Sequence, residues 1–193
     1  MPRLTPPAIA PGRLRDLAQP TLAAGDLVLR PWEPTDADAV SAAYDDPGIR
    51  RWHDRTMDVD EAGAWVASWA DRWRDEKDAG WAVVRDGVLA GQISLRSLAY
   101  ADGRAWVSYW VAPHARGRRT AAAALTAVST WGFDTLGLHR IEVDHAVDNV
   151  PSCRVATRAG FRLEGTKRGD ALHADGWHDM HLHARVSGDG PIS

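Results

Sequence analysis

The chain has 193 residues, of which 45% are hydrophobic and 25% are charged, and its formal net charge is -3. This length and composition predict a globular domain with a real core and exclude a mainly disordered chain. The net charge argues against a global basic surface for nucleic acid, and no apolar run approaches the ~18–20 residues of a membrane span. The one cysteine, Cys153, excludes an internal disulfide and is typical of a reducing compartment, so we expect a cytoplasmic protein.

The first 25 residues are rich in proline, which occupies positions 2, 6, 7, 11 and 20. Because proline fixes φ and has no backbone N–H, residues 1–25 are predicted to form an extended or disordered N-terminal arm. The alternating segment 26–32 then predicts a first strand, which is stopped by proline. Thr35 is the expected N-cap of a short helix, and Asp45–Gly48 is expected to break that helix.

A longer helix is predicted to begin at Asp58, because Glu61 follows three residues later as in a capping box. Four of its apolar residues recur on one helical face, and they are Ala62, Trp65, Trp69 and Trp73. This stripe favours a set of core anchors. The alternative interpretation is that some of these tryptophans line a substrate cleft.

Three antiparallel strands are predicted next, in the order of a meander. Residues 81–85 and 88–95 form a hairpin around Asp86-Gly87, a dipeptide that supplies the positive φ angles of a tight turn. A turn at Ala101–Gly103 leads into the third strand, over 104–112.

The connection after this third strand is the most informative stretch of the chain. The strand ends at Val111–Pro113, and an arginine-rich loop leads into a helix of small residues. The first N–H groups of a helix lack intrahelical partners, and the helix macrodipole adds positive potential there. With Arg116, Arg118 and Arg119 beside them, these amides predict a pyrophosphate-binding loop.

The remaining chain divides into five further elements and a tail. They are a helix over about 117–136 that Gly137 ends, a strand over 139–147, a helix from about 150 or 151 to 159, strands over about 161–168 and 176–186, and a tail over 187–193. Because a strand–helix–strand crossover joins parallel neighbours, strands 104–112 and 139–147 are expected to be parallel.

Four motifs follow one another in this half of the chain: Val111-Ala112-Pro113, Arg116-Gly117-Arg118-Arg119-Thr120-Ala121, Asn149-Val150-Pro151-Ser152 and Ala159-Gly160-Phe161. In this order the chain resembles the GNAT superfamily of N-acetyltransferases over about 26–186. The C-terminal half is similar to the subgroup of ribosomal-protein N-terminal acetyltransferases, through Asp148-Asn149, Ser152, Leu163-Glu164-Gly165 and Trp177-His178-Asp179.

This resemblance implies an α/β (α+β) fold. The expected architecture is a mixed, mostly antiparallel twisted sheet of about seven strands, with helices on both faces and a parallel pair that splays at a central cleft. The expected domain organisation is the arm over 1–25, a single acyltransferase domain over 26–186 and the tail.

The resemblance also implies that the arginine-rich loop binds acetyl-coenzyme A as co-substrate. In the family pattern for this loop, Arg116 and Ala121 match the two ends, whereas Arg119 stands where glycine is usual. Glycine allows the backbone to approach a pyrophosphate without a Cβ. Arg119 therefore either swings outward to pair with a phosphate or weakens the site. The predicted coenzyme-binding residues are Val111, Arg116, Gly117, Arg118, Arg119, Thr120, Ala121, Asn149 and Ser152.

Direct acyl transfer from a thioester to an amine needs a neutral amine, a donor for the oxyanion and a proton for the departing thiolate. The resemblance assigns the oxyanion to the N–H of Val111 and the proton donation to the hydroxyl of Ser152. It assigns Asn149 to the pantetheine amide or an ordered water. The structural alternatives are that Ser152 is simply an early helix residue and that Asn149 is an N-cap.

The general base is open at this stage. The candidates are a water chain, Glu142, Asp144, His145, Asp170, His173, His178 and Asp179. Related ribosomal-protein enzymes have an acidic residue between the last two strands, where this chain has Ala171, with Asp170 beside it. The histidines 173, 178, 181 and 183 are not expected to bind zinc, because His178 faces away from His181 and His183 in a strand and no thiolate joins them.

Three functions compete at this point. The first is an acyl-coenzyme-A-dependent N-acyltransferase that acts on a protein N-terminal α-amine or a small-molecule amine, with acetyl or another acyl group such as succinyl. The second is a non-catalytic acyl-coenzyme A binder. The third, another class of nucleotide-binding module, is disfavoured because the chain lacks the Walker and dinucleotide glycine motifs. The exposed-strand architecture and the tryptophan content are compatible with a homodimer.

Overall fold

A computed structural model describes residues 4–190, and its centre is one sheet of eight strands. The spatial order is β1-β2-β3-β4-β5-β6-β8-β7, and of the strands in this described range only β5 and β6 pair in parallel. The strands are β1 (Leu22–Ala24), β2 (Leu27–Arg30), β3 (Ala79–Arg85), β4 (Val88–Ala99), β5 (Arg104–Val111), β6 (Arg140–Ala146), β7 (Arg162–His173) and β8 (Gly176–Val186). The predicted mixed, mostly antiparallel sheet is confirmed, with one strand more than expected.

Among residues 4–190, five α-helices flank the sheet. They are α1 (Ala37–Tyr44), α2 (Pro47–His53), α3 (Val59–Arg74), α4 (Thr120–Trp131) and α5 (Val150–Arg158). Side-chain caps mark the starts of three of them, α2, α3 and α5. The capping box that starts α3 is confirmed, since Asp58 and Glu61 exchange hydrogen bonds of 2.8 and 2.9 Å. Within the described residues, no helix is both long enough and apolar enough to traverse a bilayer.

One local prediction before α3 is wrong, the break of the first helix at Asp45–Gly48 is confirmed, and one helix was not predicted. Thr35 lies inside a short 3₁₀ turn, Pro34–Asp36, and α1 begins only after Asp36. The Asp46-Pro47 pair ends α1 but also begins the unpredicted helix α2. The Asp46 carboxylate accepts the N–H of Ile49 at 2.9 Å, and proline is favourable in a first helical turn.

The sheet separates two apolar layers, because alternate residues of each strand face opposite sides. In β3, Trp81 and Val83 pack with residues of α4 and α5, whereas Ala82 and Val84 pack with residues of α1 and α3. Helices therefore cover both faces, as predicted. Trp69 and Trp73 of α3 are buried, Trp65 packs against the second layer, and none of the three lines the cleft described below, so the core interpretation of the stripe is confirmed.

The segment before β1 packs against the domain. Leu14 is fully buried, and the Glu76 carboxylate accepts the backbone N–H groups of Gly12 and Leu14 at 2.8 and 3.1 Å. The proline content of residues 1–25, on which the prediction of an extended or disordered arm was based, does not report whether the apolar side chains of this segment pack against the domain. The division of the chain at residues 25 and 186 stays a prediction, and residues 1–3 and 191–193 of its two ends lie outside the described part.

The parallel pair positions the functional site. β5 and β6 are paired only from Arg104 to Trp106 on β5 and from Arg140 to Glu142 on β6. Beyond those three residues the strands diverge, and no strand of the described part of the chain pairs with the edge of β5 that faces β6. The helix that connects them, α4, continues through a π-helical segment, Gly132–Leu136, and ends at Gly137, whose φ is 87°.

Candidate active site

A cavity of about 770 Å³ lies where β5 and β6 diverge. One wall is the end of β5, over 107–111, and the other is the end of β6, over 144–146. The start of α4 and the start of α5 line its two sides. A strand end and two helix starts thus meet at one opening.

The free edge of β5 points its backbone groups into this opening. The N–H of Ala112 donates to the carbonyl of Ala90 at 2.9 Å. Because donor directions alternate along an antiparallel strand, the N–H of Val111 points away from β4, toward the gap. The carbonyl of Tyr109 has the same direction, and it accepts a hydrogen bond from Nε2 of His53 at 3.1 Å. The backbone N–H of Val111, which is the predicted oxyanion donor, therefore points toward the cavity.

The loop before α4 adopts two left-handed conformations. Gly117 has φ 75°, and Arg119, the residue that precedes α4, has φ 58°. The left-handed region costs a non-glycine residue roughly 1–2 kcal/mol. Arg119 thus keeps the backbone conformation for which glycine is suited.

Most of the predicted coenzyme residues line the cavity, and Arg118 does not. Arg118 lies at a separate hollow of about 160 Å³. The Thr120 hydroxyl is turned to the protein, since it donates to the carbonyl of Ala115 at 2.9 Å and accepts from Arg85 at 3.1 Å. The residues of the predicted set that line the cavity are Val111, Arg116, Gly117, Arg119, Thr120, Ala121, Asn149 and Ser152.

Arg116 binds a carboxylate of the protein itself. Its guanidinium donates to both oxygens of Asp46, at 3.3 and 2.5 Å, and its Nε donates to the carbonyl of Val111 at 3.2 Å. The hydrogen bond from Arg116 lowers the pKa of Asp46 below its usual value. Because Asp46 is also the N-cap of α2, this ion pair ties the loop to α2 across the mouth of the cavity.

At the other helix start, Asn149 and Ser152 are held close to β5. The side-chain oxygen of Asn149 accepts the N–H of Ser152 at 3.2 Å, so the N-cap interpretation of Asn149 is confirmed. The hydroxyl of Ser152 lies 2.5 Å from the hydroxyl of Tyr109. Burial raises the pKa of Tyr109 to about 12, so the phenol is protonated at neutral pH.

Tyr109 and His53 are site residues that the sequence analysis missed. Tyr109 alternates with Val107 and Val111 along β5, and this period of two was the available signal. His53 follows from no motif, since α2 itself was not predicted. Burial lowers the pKa of His53 to about 4, so its ring is neutral and Nε2 carries the proton that is donated to Tyr109.

Glu142, one of the base candidates, forms internal ion pairs with two arginines. It is buried, and it accepts hydrogen bonds of 2.5 Å from both Arg104 and Arg140. Burial raises the pKa of this carboxyl, but the two arginines outweigh burial and hold the pKa below its ordinary value. It does not line the cavity.

The aspartate candidates also have partners. Asp144 accepts from the ammonium of Lys167 at 2.6 Å, and Asp170 lies 3.6 Å from the same group. Asp179 accepts the N–H of Gly169 at 2.8 Å. Of these three carboxylates, only Asp144 lines the cavity.

Among the histidine candidates, His145 and His173 line the cavity, whereas His178 binds Asp175 at 2.7 Å. Nδ1 of His173 lies 3.1 Å from the carbonyl of Arg51. A carbonyl only accepts, so the proton of a neutral His173 ring is on Nδ1 and a lone pair is on Nε2.

Both the sequence and the fold are similar to those of known proteins. The sequence model of an acetyltransferase (GNAT) domain matches residues 26–162. The putative ribosomal N-acetyltransferase YdaF of Bacillus subtilis is 33% identical over 113 residues, which are 58% of this chain and 61% of YdaF. The ribosomal-protein-serine acetyltransferase of Escherichia coli is 29% identical over 104 residues, 54% of this chain and 58% of that enzyme. The chain thus spans about three fifths of the length of each.

A solved structure provides a comparison over more of the chain. RimJ of Mycobacterium smegmatis, in complex with CoA-disulfide, superposes with a TM-score of 0.83 and 28% identity, over 91% of each chain. This likeness extends well beyond the segment aligned with YdaF.

Proposed function

The chain belongs to the GNAT acetyltransferase family, and from this premise we propose that it transfers an acetyl group from acetyl-coenzyme A to the α-amine of a protein N-terminus. One observation carries the proposal. The splayed end of β5 brings an outward N–H, the start of α4 and a partly buried pair of hydroxyls into a single cleft. The ribosomal-protein acetyltransferases among the relatives support a protein acceptor. The lone cysteine supports a cytoplasmic location.

Acetyl-coenzyme A is proposed to lie along the start of α4, with its pyrophosphate at the first helical N–H groups. These amides have no intrahelical partners and carry the positive end of the macrodipole. The arginine side chains of the loop contribute less to pyrophosphate binding than their charge suggests, because Arg116 is paired with Asp46 and Arg118 lies at another hollow. Arg119 is the cation nearest to the helix start along the chain, and we propose that it pairs with a phosphate.

The chemistry proposed here is direct attack of the neutral amine on the thioester carbonyl carbon. A carbon–nitrogen bond forms, the oxyanion accepts the N–H of Val111, and the carbon–sulfur bond then breaks. The thiolate accepts a hydrogen bond from Ser152, whose oxygen is paired in turn with the phenol of Tyr109. The proton lost by the amine finally resides on the coenzyme thiol, whose pKa is about 8.5.

The proposed base is His173, or water held beside it. An N-terminal α-amine has a pKa of about 7.7–8.0, so about a tenth of it is already neutral at pH 7. Because this neutral fraction can attack without prior deprotonation, the base is needed mainly to remove a proton from the amine nitrogen after attack. His173 lines the cavity with a lone pair on Nε2, whereas Glu142 and Asp170 are held by cationic partners.

The direct test is an acceptor panel with acetyl-coenzyme A. One peptide carries a free α-amine, its matched control is acetylated at that amine but keeps a lysine, and a polyamine represents small acceptors. We expect thiol release and a single acetyl addition, located by mass spectrometry, only with the free α-amine. Turnover confined to the polyamine would replace the protein acceptor by a small one.

The same panel separates the remaining alternatives. Succinyl-coenzyme A in place of acetyl-coenzyme A measures the acyl preference, and we expect acetyl to be faster. Tight coenzyme binding by calorimetry, with no turnover on any amine, would instead identify a non-catalytic acyl-coenzyme A binder.

A further inference from the structure

Four side chains of the metal-ligand type cluster between the sheet and α5. They are His145 of β6, His181 and His183 of β8, and Cys153 of α5, and one ligand atom from each lies within 4.8 Å of the others. Sγ of Cys153 is 3.7 Å from Nε2 of His183. The expectation that no cysteine sulfur joins the C-terminal histidines is therefore wrong: Sγ of Cys153 lies beside His181 and His183, although Cys153 is about thirty residues earlier in the chain.

The fold assembles this cluster from three elements. His145 and His181 are direct partners in the antiparallel pair of β6 and β8, so their side chains share one face. His183 follows two residues after His181 and lies on the same face. α5 packs over these strands, and its first turn places Cys153 above the histidines.

The hydrogen bonds of two histidines orient their lone pairs toward the cluster. Nδ1 of His145 lies 2.8 Å from the carbonyl of Ala146, and Nδ1 of His183 lies 3.3 Å from the carbonyl of Phe161. Each Nδ1 must carry the proton, because a carbonyl only accepts, and each Nε2 then has a lone pair. Such a backbone partner behind the ring is typical of histidines that ligate metals.

The cluster also contains polar atoms without partners. His145 is 4% exposed and His183 is 1% exposed. Nε2 of His145 and Nδ1 of His181 are buried, and neither has a hydrogen-bond partner among residues 4–190. Two unpartnered nitrogen atoms among four ligand-type side chains, two of them buried and two half-buried, indicate an occupant that accepts lone pairs.

We propose that His145, Cys153, His181 and His183 bind one zinc ion. Nitrogen and thiolate ligands are those of protein zinc sites, and tetrahedral bond lengths imply ligand–ligand separations of about 3.3–3.6 Å. The Cys153–His183 separation is near this range, and the widest pair must contract by roughly 1.5 Å. Four protein ligands leave no open position, so the ion is structural. It joins α5 to the sheet one residue after Ser152.

The proposal is tested first by metal stoichiometry. Protein stripped with a chelator is dialysed against Zn²⁺ and analysed by plasma emission spectrometry, with competition by a chromogenic chelator for affinity. We expect one equivalent of zinc for the wild type. Cys153→Ser and His183→Gln should each weaken binding by about 100-fold or more, since loss of outer partners alone costs 10–100-fold. His178→Gln, on the same strand but outside the cluster, is the matched control and should bind as the wild type does.

A second readout identifies the ligands when a variant is only weakened. Co²⁺ in place of Zn²⁺ should give the wild type intense visible bands of a tetrahedral site and a thiolate-to-cobalt charge-transfer band in the near ultraviolet. Cys153→Ser should lose the charge-transfer band, and circular dichroism verifies that it is folded. A wild type that binds less than a tenth of an equivalent of Zn²⁺, or Co²⁺ spectra unchanged in Cys153→Ser, would overturn the proposal. Acetyl-transfer assays are not needed for either outcome, so failure here leaves the proposed function untouched.

Discussion

The starts of α4 and α5, which both lie beside the cleft, differ in how well their sequences indicate the contacts that their side chains make. The loop before α4 is conspicuous, with three arginines in four residues, yet Arg116 binds Asp46 and Arg118 lies elsewhere. The start of α5 is inconspicuous, yet it places Ser152 against the partly buried phenol of Tyr109. Charge in a loop sequence therefore does not measure the charge available to a ligand, because a nearby carboxylate of the protein can take it first.

This comparison predicts the largest functional loss at the inconspicuous site. Ser152→Ala should lower kcat by about 100-fold, the lower range for loss of a positioned proton donor, with little change in coenzyme affinity. Tyr109→Phe retains the serine hydroxyl and should lower kcat less, by about tenfold. Single-turnover kinetics at saturating acetyl-coenzyme A, with calorimetric coenzyme affinity, check both values. Unchanged turnover in Ser152→Ala, with chemistry rate-limiting, would remove the hydroxyl from the mechanism.

A pH-dependent loss of stability is expected from His53, which ties α2 to the cleft edge of β5. Its folded pKa of about 4 lies below the unfolded value of about 6.5, because burial disfavours the charged ring. As the pH falls, His53 therefore binds a proton in the unfolded chain before it does so in the folded protein. The contribution of His53 to the free energy of unfolding is fully present above about pH 6.5 and decreases toward pH 4. Between pH 7 and 5 the loss should reach about 1–2 kcal/mol.

Urea unfolding of the wild type and of His53→Gln at pH 7 and 5 measures this contribution. Glutamine retains an N–H donor for the carbonyl of Tyr109 but does not titrate. The pH-dependent difference in unfolding free energy should therefore be smaller in the variant. Equal pH dependence in both proteins would show that His53 is not the responsible group.

At the conspicuous loop, a smaller effect on coenzyme binding is expected. Arg116→Ala should raise the KM for acetyl-coenzyme A by about fivefold, since one displaced contact is worth about 1 kcal/mol. Asp46→Asn retains an acceptor for the α2 cap but removes the charge that holds Arg116. If the ion pair orients the loop, Asp46→Asn should raise KM as well. A KM lowered by Asp46→Asn would mean that the carboxylate competes with the coenzyme for Arg116.

The smallest effect is expected from the backbone of Arg119. Arg119→Gly should stabilise the protein by about 0.5–1 kcal/mol, because it relieves a left-handed non-glycine residue at some cost in chain entropy. Arg118→Gly, where φ is not positive, is the matched control and should destabilise by about 0.5–1 kcal/mol. Thermal unfolding of both variants checks the opposite signs. A lower coenzyme affinity in Arg119→Gly alone would support the proposed phosphate contact.

Local and short-range features were well determined by the sequence. The Asp58–Glu61 box, the Asp86-Gly87 hairpin and the helix end at Gly137 each depend on a few neighbouring residues whose backbone preferences agree with the fold. The order of elements also implied the parallel pair, because crossover connections permit few alternatives. The helix α2 was missed because Asp46-Pro47 fits both the end of one helix and the start of the next.

The partners of individual side chains were decided only by the tertiary structure. Asp46 meets Arg116 across 70 positions of the chain, Tyr109 meets Ser152 across 43, and Cys153 meets His183 across 30. Sequence patterns report the local period and the face on which a residue lies, but not which distant face is packed against it. For this protein the sequence determined the family, the cleft and its strand and helix starts. The packing of α2 and α5 determined that Asp46 neutralises Arg116, that the hydroxyl of Ser152 is hydrogen-bonded to Tyr109, and that the thiol of Cys153 lies beside His183.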